Sequence, residues 1–374
     1  MKIAVNTRFL LSNNLEGYGY FLYETWRRIV NDHPEHQFVF IFDRPYDMRF
    51  IFGKNVTPVV AGPAARHPLL WKWWYDIKLP VVLKKHKAEL FVSCDGFCSL
   101  TTKIPQCLVV HDLAFLHYPS FIKKSHLLFY KRYTPKFLQR AKSVATVSEF
   151  SKQDIIAHYK TDAAKIDVVY SAAKDIFHPL DEHTKEEAKE KYTNGQNYFV
   201  YAGAIHPRKN LTNLLKAFSI FKKRQKSNWK LVLAGRLAWK YDQFVKSLES
   251  YKYRNDVVLT GYVEENELVN IIGSAYALIY PSVWEGFGVP VLEAMKCNVP
   301  VITSANSSMQ EIAGDAALYA QANEHHDIAD KMMMIYKDEA LRNRLIEKGK
   351  QISTQYSWDK TAALLWDCIL KAAK

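Results

Sequence analysis

The chain is predicted to fold as an α/β protein with two parallel-sheet domains. Three observations carry this. Short apolar runs alternate with longer helical patterns along the whole sequence, the order that βαβ units require. The alternation stops once, in the charged stretch 179–194, and then starts again. The 374 residues are 48% hydrophobic and 24% charged, enough apolar material for two or three cored domains and too much for a disordered chain.

In the first half, strands are expected at 2–6, 38–42, 56–60, 90–93, 107–111, 143–147 and 167–170. A helical run covers 21–30, after the polar segment Asn13-Asn-Leu-Glu-Gly-Tyr-Gly-Tyr20. Gly17 and Gly19 in that segment suit a phosphate-binding loop or a tight turn between strand and helix. The third glycine of a dinucleotide fingerprint is missing, which disfavours hydride-transfer chemistry. The segment His67-Pro-Leu-Leu-Trp-Lys-Trp-Trp-Tyr-Asp76 is unusually aromatic. Trp71 and Trp74 share a helical face and are expected in the core, while Trp73 points elsewhere. An acceptor-binding or membrane-touching patch is the alternative, because Trp favours interfaces.

Residues 179–194 hold almost no large apolar side chain and are expected to form an interdomain linker with a short exposed helix. The domains are therefore placed at 1–180 and 181–355, with 181–194 as linker, followed by a C-terminal helix at 356–374. In the second half, strands are expected at 198–202, 230–234, 257–260, 275–280, 301–303 and 317–319. Helices are expected at 211–224, 241–250, 264–272, 290–297, 327–336 and 339–350. Ser357 is a plausible N-cap for the last helix.

Composition excludes several classes. No apolar run approaches the ~18 residues of a membrane span. The N-terminus reads directly as a strand, without the pattern of a signal peptide. Five cysteines, at 94, 98, 107, 297 and 368, lack metal-site or redox spacing, so buried reduced thiols in a cytoplasmic protein are expected. Net charge is +13, of which residues 1–178 carry +10. An anionic membrane face or an anionic acceptor would explain the basic first half, and so would solubility alone. No nucleic-acid motif is present.

The chemistry is expected in four places. His111 and Asp112 stand at the end of a buried strand, where open α/β sheets put ligand groups. Gly203-Ala-Ile-His-Pro-Arg-Lys-Asn210 sets Arg208 and Lys209 before a helix start. The macrodipole disfavours cations there, so a ligand anion is their natural partner. Gly261-Tyr-Val263 ends another strand. Most telling is Pro281-Ser-Val-Trp-Glu-Gly-Phe-Gly-Val-Pro-Val-Leu-Glu-Ala-Met295. It is a strand end, a loop with Gly286 and Gly288, and a helix opened by Pro290. Glu285 and Glu293 bracket that loop and can address different parts of one ligand.

This last stretch resembles the E-x7-E signature of the retaining glycosyltransferases of family four, with the two-domain GT-B fold. The Val-Ser-Glu-Phe-Ser run at 147–151 and the His-Asp strand end are similar to that family too. Departures exist. Tyr20 and Ala204 stand where many relatives have Arg. Ser171-Ala-Ala-Lys-Asp175 replaces an Asn-Gly-Val-Asp turn, Asn298 replaces Gly and Gln310 replaces Pro.

The resemblance implies two Rossmann-like domains facing across a cleft, the first for the acceptor and the second for a nucleotide-diphosphate sugar. The C-terminal helix would cross back to the first domain, anchored by Trp358. Gly17, Gly19 and Gly203 would approach the donor, and Arg208 and Lys209 its diphosphate. Tyr262 and Val263 would hold the base. Glu293 would hold the ribose; Glu285 with the Gly286, Phe287 and Gly288 backbone would hold the sugar; and His111 would contact the sugar. No metal, cofactor or protein nucleophile is implied. The Pro-Arg-Lys-Asn and Gly-x-x-x-Trp segments are similar to mannosyltransferase-like bacterial members, implying GDP-mannose and surface-polysaccharide assembly; the basic first half adds the expectation of a cytoplasmic protein at the inner face of the membrane. A GT-B epimerase or phosphorylase, and a silent partner-binding relative, are the alternatives.

Overall fold

A computed structural model describes residues 1–12, 15–238 and 241–374. Asn13, Asn14 and Trp239, each part of a motif above, lie outside them. The chain divides into two compact units, Met1–Ser171 with Ser357–Lys374, and Ala172–Tyr356.

The first unit contains β1 Lys2–Asn6, α1 Gly17–Asp32, β2 Gln37–Phe42, β3 Val56–Val60, α2 Pro68–Trp73, α3 Leu79–Lys85 and β4 Leu90–Ser93. It continues with β5 Gln106–Val109, α4 Ala114–His117, α5 Lys124–Arg140, β6 Ser143–Thr146, α6 Glu149–Tyr159 and β7 Ile166–Val168. The strands form one parallel sheet in the order β3-β2-β1-β4-β5-β6-β7. Four-residue apolar runs suffice for β4, β5 and β6 because all four residues of each are buried, as parallel strands covered on both faces require.

The second unit contains α7 Glu182–Thr193, β8 Tyr198–Ala202, α8 Leu211–Gln225, β9 Lys230–Ala234, α9 Asp242–Glu249, β10 Val257–Gly261 and α10 Glu265–Gly273. Then come β11 Ala277–Tyr280, α11 Val289–Lys296, β12 Val301–Ser304, α12 Met309–Ala313, β13 Ala317–Ala320, α13 His325–Lys337 and α14 Glu339–Ser353. Its sheet is parallel, in the order β10-β9-β8-β11-β12-β13. The order reverses between β8 and β11, which places a crevice outside their carboxyl ends.

The last helix, α15 Trp358–Ala373, belongs to the first unit. Ser357 caps it, accepting from the Lys360 N–H at 3.2 Å. Trp358 is buried and meets Phe21 of α1 edge to face. Arg28 of α1 pairs with Asp359, and Ser143 of β6 donates to the Cys368 carbonyl at 2.7 Å.

Four expectations change. Gly17 and Gly19 are not in a loop but in the first turn of α1. A Cβ at Gly19 would come 2.6 Å from the Phe9 carbonyl oxygen, so close packing demands that glycine. The boundary between units falls after Ser171 instead of at 180, because Lys174 pairs with Glu265 and binds its segment to the second unit. The exposed helix expected within 181–194 is present as α7, but the segment is not a free linker, since Tyr192 and Lys191 are held by Glu267 of α10. Pro290 is the second helical residue, since α11 starts at Val289.

Trp71 and Trp74 are core residues, as their spacing predicts, and Trp73 is only half-buried. Asn298 takes the left-handed backbone (φ 58°) in place of the usual glycine. All five cysteines are buried and unbonded. Among the described residues no helix is long and apolar enough to cross a membrane.

Candidate active site

The segment after β8 closes a short turn, Pro207–Lys209, before α8 begins. His206 caps it and Asn210 leaves it in the left-handed region (φ 62°). Asn210 Nδ2 donates to the carbonyls of Pro281 (3.1 Å) and Ala322 (2.5 Å). The Val283 N–H donates to the Arg208 carbonyl at 2.9 Å. The loops after β8 and β11 are thus stitched together, although about 75 residues separate them in sequence.

That stitching gathers four side chains. Lys209 Nζ lies 2.5 Å from Glu285 Oε1 and 2.5 Å from the Tyr280 hydroxyl. Tyr280 itself donates to Glu285 Oε1 at 3.1 Å. Arg208 Nη1 donates to Glu285 Oε2 at 3.2 Å and to the Trp284 carbonyl at 2.8 Å. Burial alone would raise the Glu285 carboxyl, but the charges of Arg208 and Lys209 outweigh it and push it down to about 2. Glu285 is therefore an ionised, weakly basic group at neutral pH.

Backbone order supports the cluster. The Glu285 N–H donates to Ser307 Oγ at 3.0 Å, and Ser308 Oγ donates to the carbonyls of Glu285 and Phe287. Gly288 sits at φ 97° beside Met309, whose methyl would be 2.3 Å from any added Cβ. Only glycine fits there. Gly286 and Phe287 are buried on the same loop. At the end of β8, Gly203 takes φ 134°, and its carbonyl oxygen would meet a Cβ on Gly235 at 2.0 Å.

Glu293 lies one turn into α11, buried, in a different setting. Among the described residues its carboxyl finds no hydrogen-bond partner. Burial pushes it up to about 7, against the pull of Lys174 and Lys296. Glu265 also faces it and opens α10, directly after the Tyr262–Val263 segment that follows the edge strand β10. Tyr262 is exposed there.

In the first unit, His111 lies two residues past β5. Its Nε2 is 3.1 Å from the Cys94 carbonyl, and its ring packs on Tyr18 and Phe21. Burial pushes it down to about 4, so the imidazole is neutral. With Nε2–H donated to Cys94, Nδ1 is an acceptor. Asp112 supports the loop, accepting from the Ala114 N–H at 2.9 Å.

The structure thus unites Arg208, Lys209 and Glu285, which the sequence had set on separate duties. Sequence reasoning missed Tyr280, Ser307, Ser308 and Lys174. Tyr280 looked like the last core residue of a strand. Lys174 lay in a turn whose only signal was its departure from the usual pattern.

Two parallel-sheet units, with the charged cluster at the strand ends of the second, define a GT-B transferase. Residues 27–173 match Glycosyltransferase Family 4 and residues 182–352 match Glycosyl transferases group 1. The chain belongs to the family-four glycosyltransferases. It is 32% identical over 275 residues to O-antigen chain mannosyltransferase RfbU of Salmonella typhimurium, 72% of this chain and 71% of that one. It is 30% identical over 250 residues to O-antigen chain mannosyltransferase B of Escherichia coli, 67% and 66% of the two chains. Its fold matches WaaG, a glycosyltransferase involved in lipopolysaccharide biosynthesis, with a TM-score of 0.76 at 16% identity over 98% of this chain and 99% of that one. Anabaena HepE in complex with UDP-glucose matches with a TM-score of 0.76 at 15% identity, over 98% of each chain.

Proposed function

We propose that the protein transfers mannose from GDP-mannose to a glycan or lipid-linked acceptor of a bacterial surface polysaccharide, with retention and without a catalytic metal. The observation that carries this is the Arg208–Lys209–Glu285 cluster at the carboxyl ends of β8 and β11. The sugar named is that of the O-antigen relatives.

As the glycosidic C–O bond of the donor breaks, negative charge builds on the departing diphosphate. Arg208 and Lys209 stabilise it, an electrostatic contribution to the transition state. Side-chain cations fill the place that a metal would take, and the sequence has no Asp-x-Asp pair to hold one. Glu285 is a poor nucleophile with its charge spent on two cations. It positions the sugar hydroxyls and the cations, and the departing phosphate oxygen takes the acceptor proton. Glu293 supplies an acceptor for the ribose hydroxyls, which fill its empty hydrogen-bonding capacity. His111 Nδ1 accepts from a sugar hydroxyl.

Incubation with a panel of nucleotide sugars and NMR of the product tests this. GDP-mannose should be consumed to an α-linked product in the presence of a chelator. Turnover of UDP-sugars alone sinks the donor, and a β-linked product sinks retention. Product formed without an acceptor points to an epimerase.

The acceptor reading extends to the membrane. On the first unit, Leu69, Ile77, Val81 and Leu128 are each more than half exposed. They lie on or beside α2, α3 and α5, joined by Trp71 against Phe129. Residues 119–142 carry seven Lys or Arg and no Asp or Glu. Exposed aliphatic side chains among lysines suit the anionic inner face of a bilayer and support the reading of a cytoplasmic protein working at that surface. Sedimentation with phosphatidylcholine vesicles should capture the protein only when phosphatidylglycerol is included, and Leu128→Ser with Lys131→Ser should release it. Equal binding to neutral vesicles refutes this docking.

A further inference from the structure

We propose that His117, Asp154 and His158 form a binding site for a divalent transition metal, zinc by its ligand set, on the first unit and separate from the donor cluster. His117 ends α4, and Asp154 and His158 stand one turn apart on α6. His117 Nε2 lies 2.9 and 3.0 Å from the two Asp154 oxygens. His158 Nδ1 lies 3.0 Å from Asp154 Oδ1. One ligand atom from each residue falls within 4.8 Å of the others.

Zinc ligated at about 2.0–2.2 Å holds neighbouring ligand atoms about 3.4 Å apart in a tetrahedron. The two His–Asp154 separations are within about half an ångström of that edge, and the two imidazoles must close on each other from within 4.8 Å to admit the ion. Two imidazoles and one carboxylate suit zinc, cobalt or nickel over magnesium or calcium. The Asp154 side chain is 8% exposed and that of His158 is 41% exposed. The Asp154 side of the site is thus sunk in protein, and the His158 side is open to solvent.

A second feature lies beside it. The Tyr159 hydroxyl is buried with no hydrogen-bond partner among the described residues. The competing interaction is internal to α6. His158 Nδ1 is also 3.0 Å from the Asp154 carbonyl, and metal binding would replace that contact.

The site has a mechanical consequence. Ser151 of α6 donates to the His111 carbonyl at 3.1 Å. Asp154 holds His117 one turn further along the same helix. A metal would add a second tether to the segment from His111 to His117, stiffening the strand end that carries His111.

Titration of chelator-treated full-length protein with Co2+ and Zn2+ tests the site independently of any glycosyl transfer. One equivalent should bind, Co2+ should develop visible d–d bands, and the melting temperature should rise with Zn2+ but not with Mg2+. His158→Gln, at an exposed position that tolerates the change, and His117→Gln should each weaken binding by about 100-fold, since even outer partners of a ligand are worth about 10–100-fold. His183→Gln, in an exposed pair with Glu187 on α7, should leave it unchanged. Absence of Co2+ bands, or binding unaltered by both ligand substitutions, overturns the proposal.

Discussion

Replacing Lys209 with methionine is expected to lower the transfer rate by about 100- to 1,000-fold at saturating donor, the loss typical for removing one preorganised donor to a developing anion. The same substitution should cost about 1.5–3 kcal/mol of stability, because the buried carboxylate loses one of its two charged hydrogen-bond partners. Glu285 keeps Arg208 as a partner but loses the nearer cation. The two effects come apart in the double variant Lys209→Met with Glu285→Gln. Neutralising the carboxylate removes the stranded charge, so stability should return while transfer stays low. Urea denaturation and single-turnover kinetics on the three proteins read this directly. Recovery of rate together with stability would mean that the cluster is scaffolding and not part of the donor site.

The pH dependence of that cluster has a definite sign. Glu285 is held at about 2 against an ordinary value of 4.5. A carboxyl depressed on folding contributes stability that is present above 4.5 and lost as pH falls toward 2. Across neutral pH it does not titrate, so a change of rate between pH 6 and 8 must come from another group.

Legibility differed between the scaffold and the site. The strands could be read because each is a compact apolar run between polar punctuation. Leu90–Ser93, between Lys84-Lys-His-Lys87 and Asp95-Gly96, shows how little length this needs when both faces are buried. Gly17 and Gly19 misled, because glycine disfavours helices on propensity alone. The crowding of Gly19 against Phe9, eight or more residues before α1's core, is a tertiary fact. The cations and carboxylates were visible as residue types in suggestive loops. Their union was not, because it depends on two loops far apart in sequence being joined by the Val283 N–H to the Arg208 carbonyl and by Asn210 to the Pro281 carbonyl. Tyr280 was hidden for a related reason. A tyrosine ending a buried strand has the sequence signature of a core aromatic, and only its hydroxyl tells otherwise. The unit boundary was hidden by Lys174, whose partner Glu265 lies 91 residues away.

A group of the site that titrates near neutrality is Glu293, and it should tie donor binding to pH. Burial raises its carboxyl from 4.5 to about 7. If the ionised form accepts from the ribose hydroxyls, a proton must leave before the nucleotide binds. Linkage then predicts about tenfold weaker nucleotide affinity at pH 6 than at pH 8. Glu293→Gln should flatten that dependence and weaken binding at pH 8 by about 10- to 100-fold, the worth of about 1.5–3 kcal/mol for a hydrogen bond to a charged group. Its effect on the ligand-free protein should be opposite. A carboxyl raised on folding gives stability below 4.5 that is lost as pH climbs through 7. At pH 8 the wild type therefore bears the whole penalty, about 3 kcal/mol for a shift of this size. The glutamine carries no charge to desolvate, so the variant should melt higher at pH 8 and no higher at pH 4. Calorimetry at the two pH values and nucleotide titration at three would separate the outcomes. Wild-type affinity in Glu293→Gln at pH 8 would remove Glu293 from the ribose site. A variant no more stable than the wild type at pH 8 would mean that the buried carboxyl is already paid for by Lys174 and Lys296, and the pH dependence of binding should vanish with it.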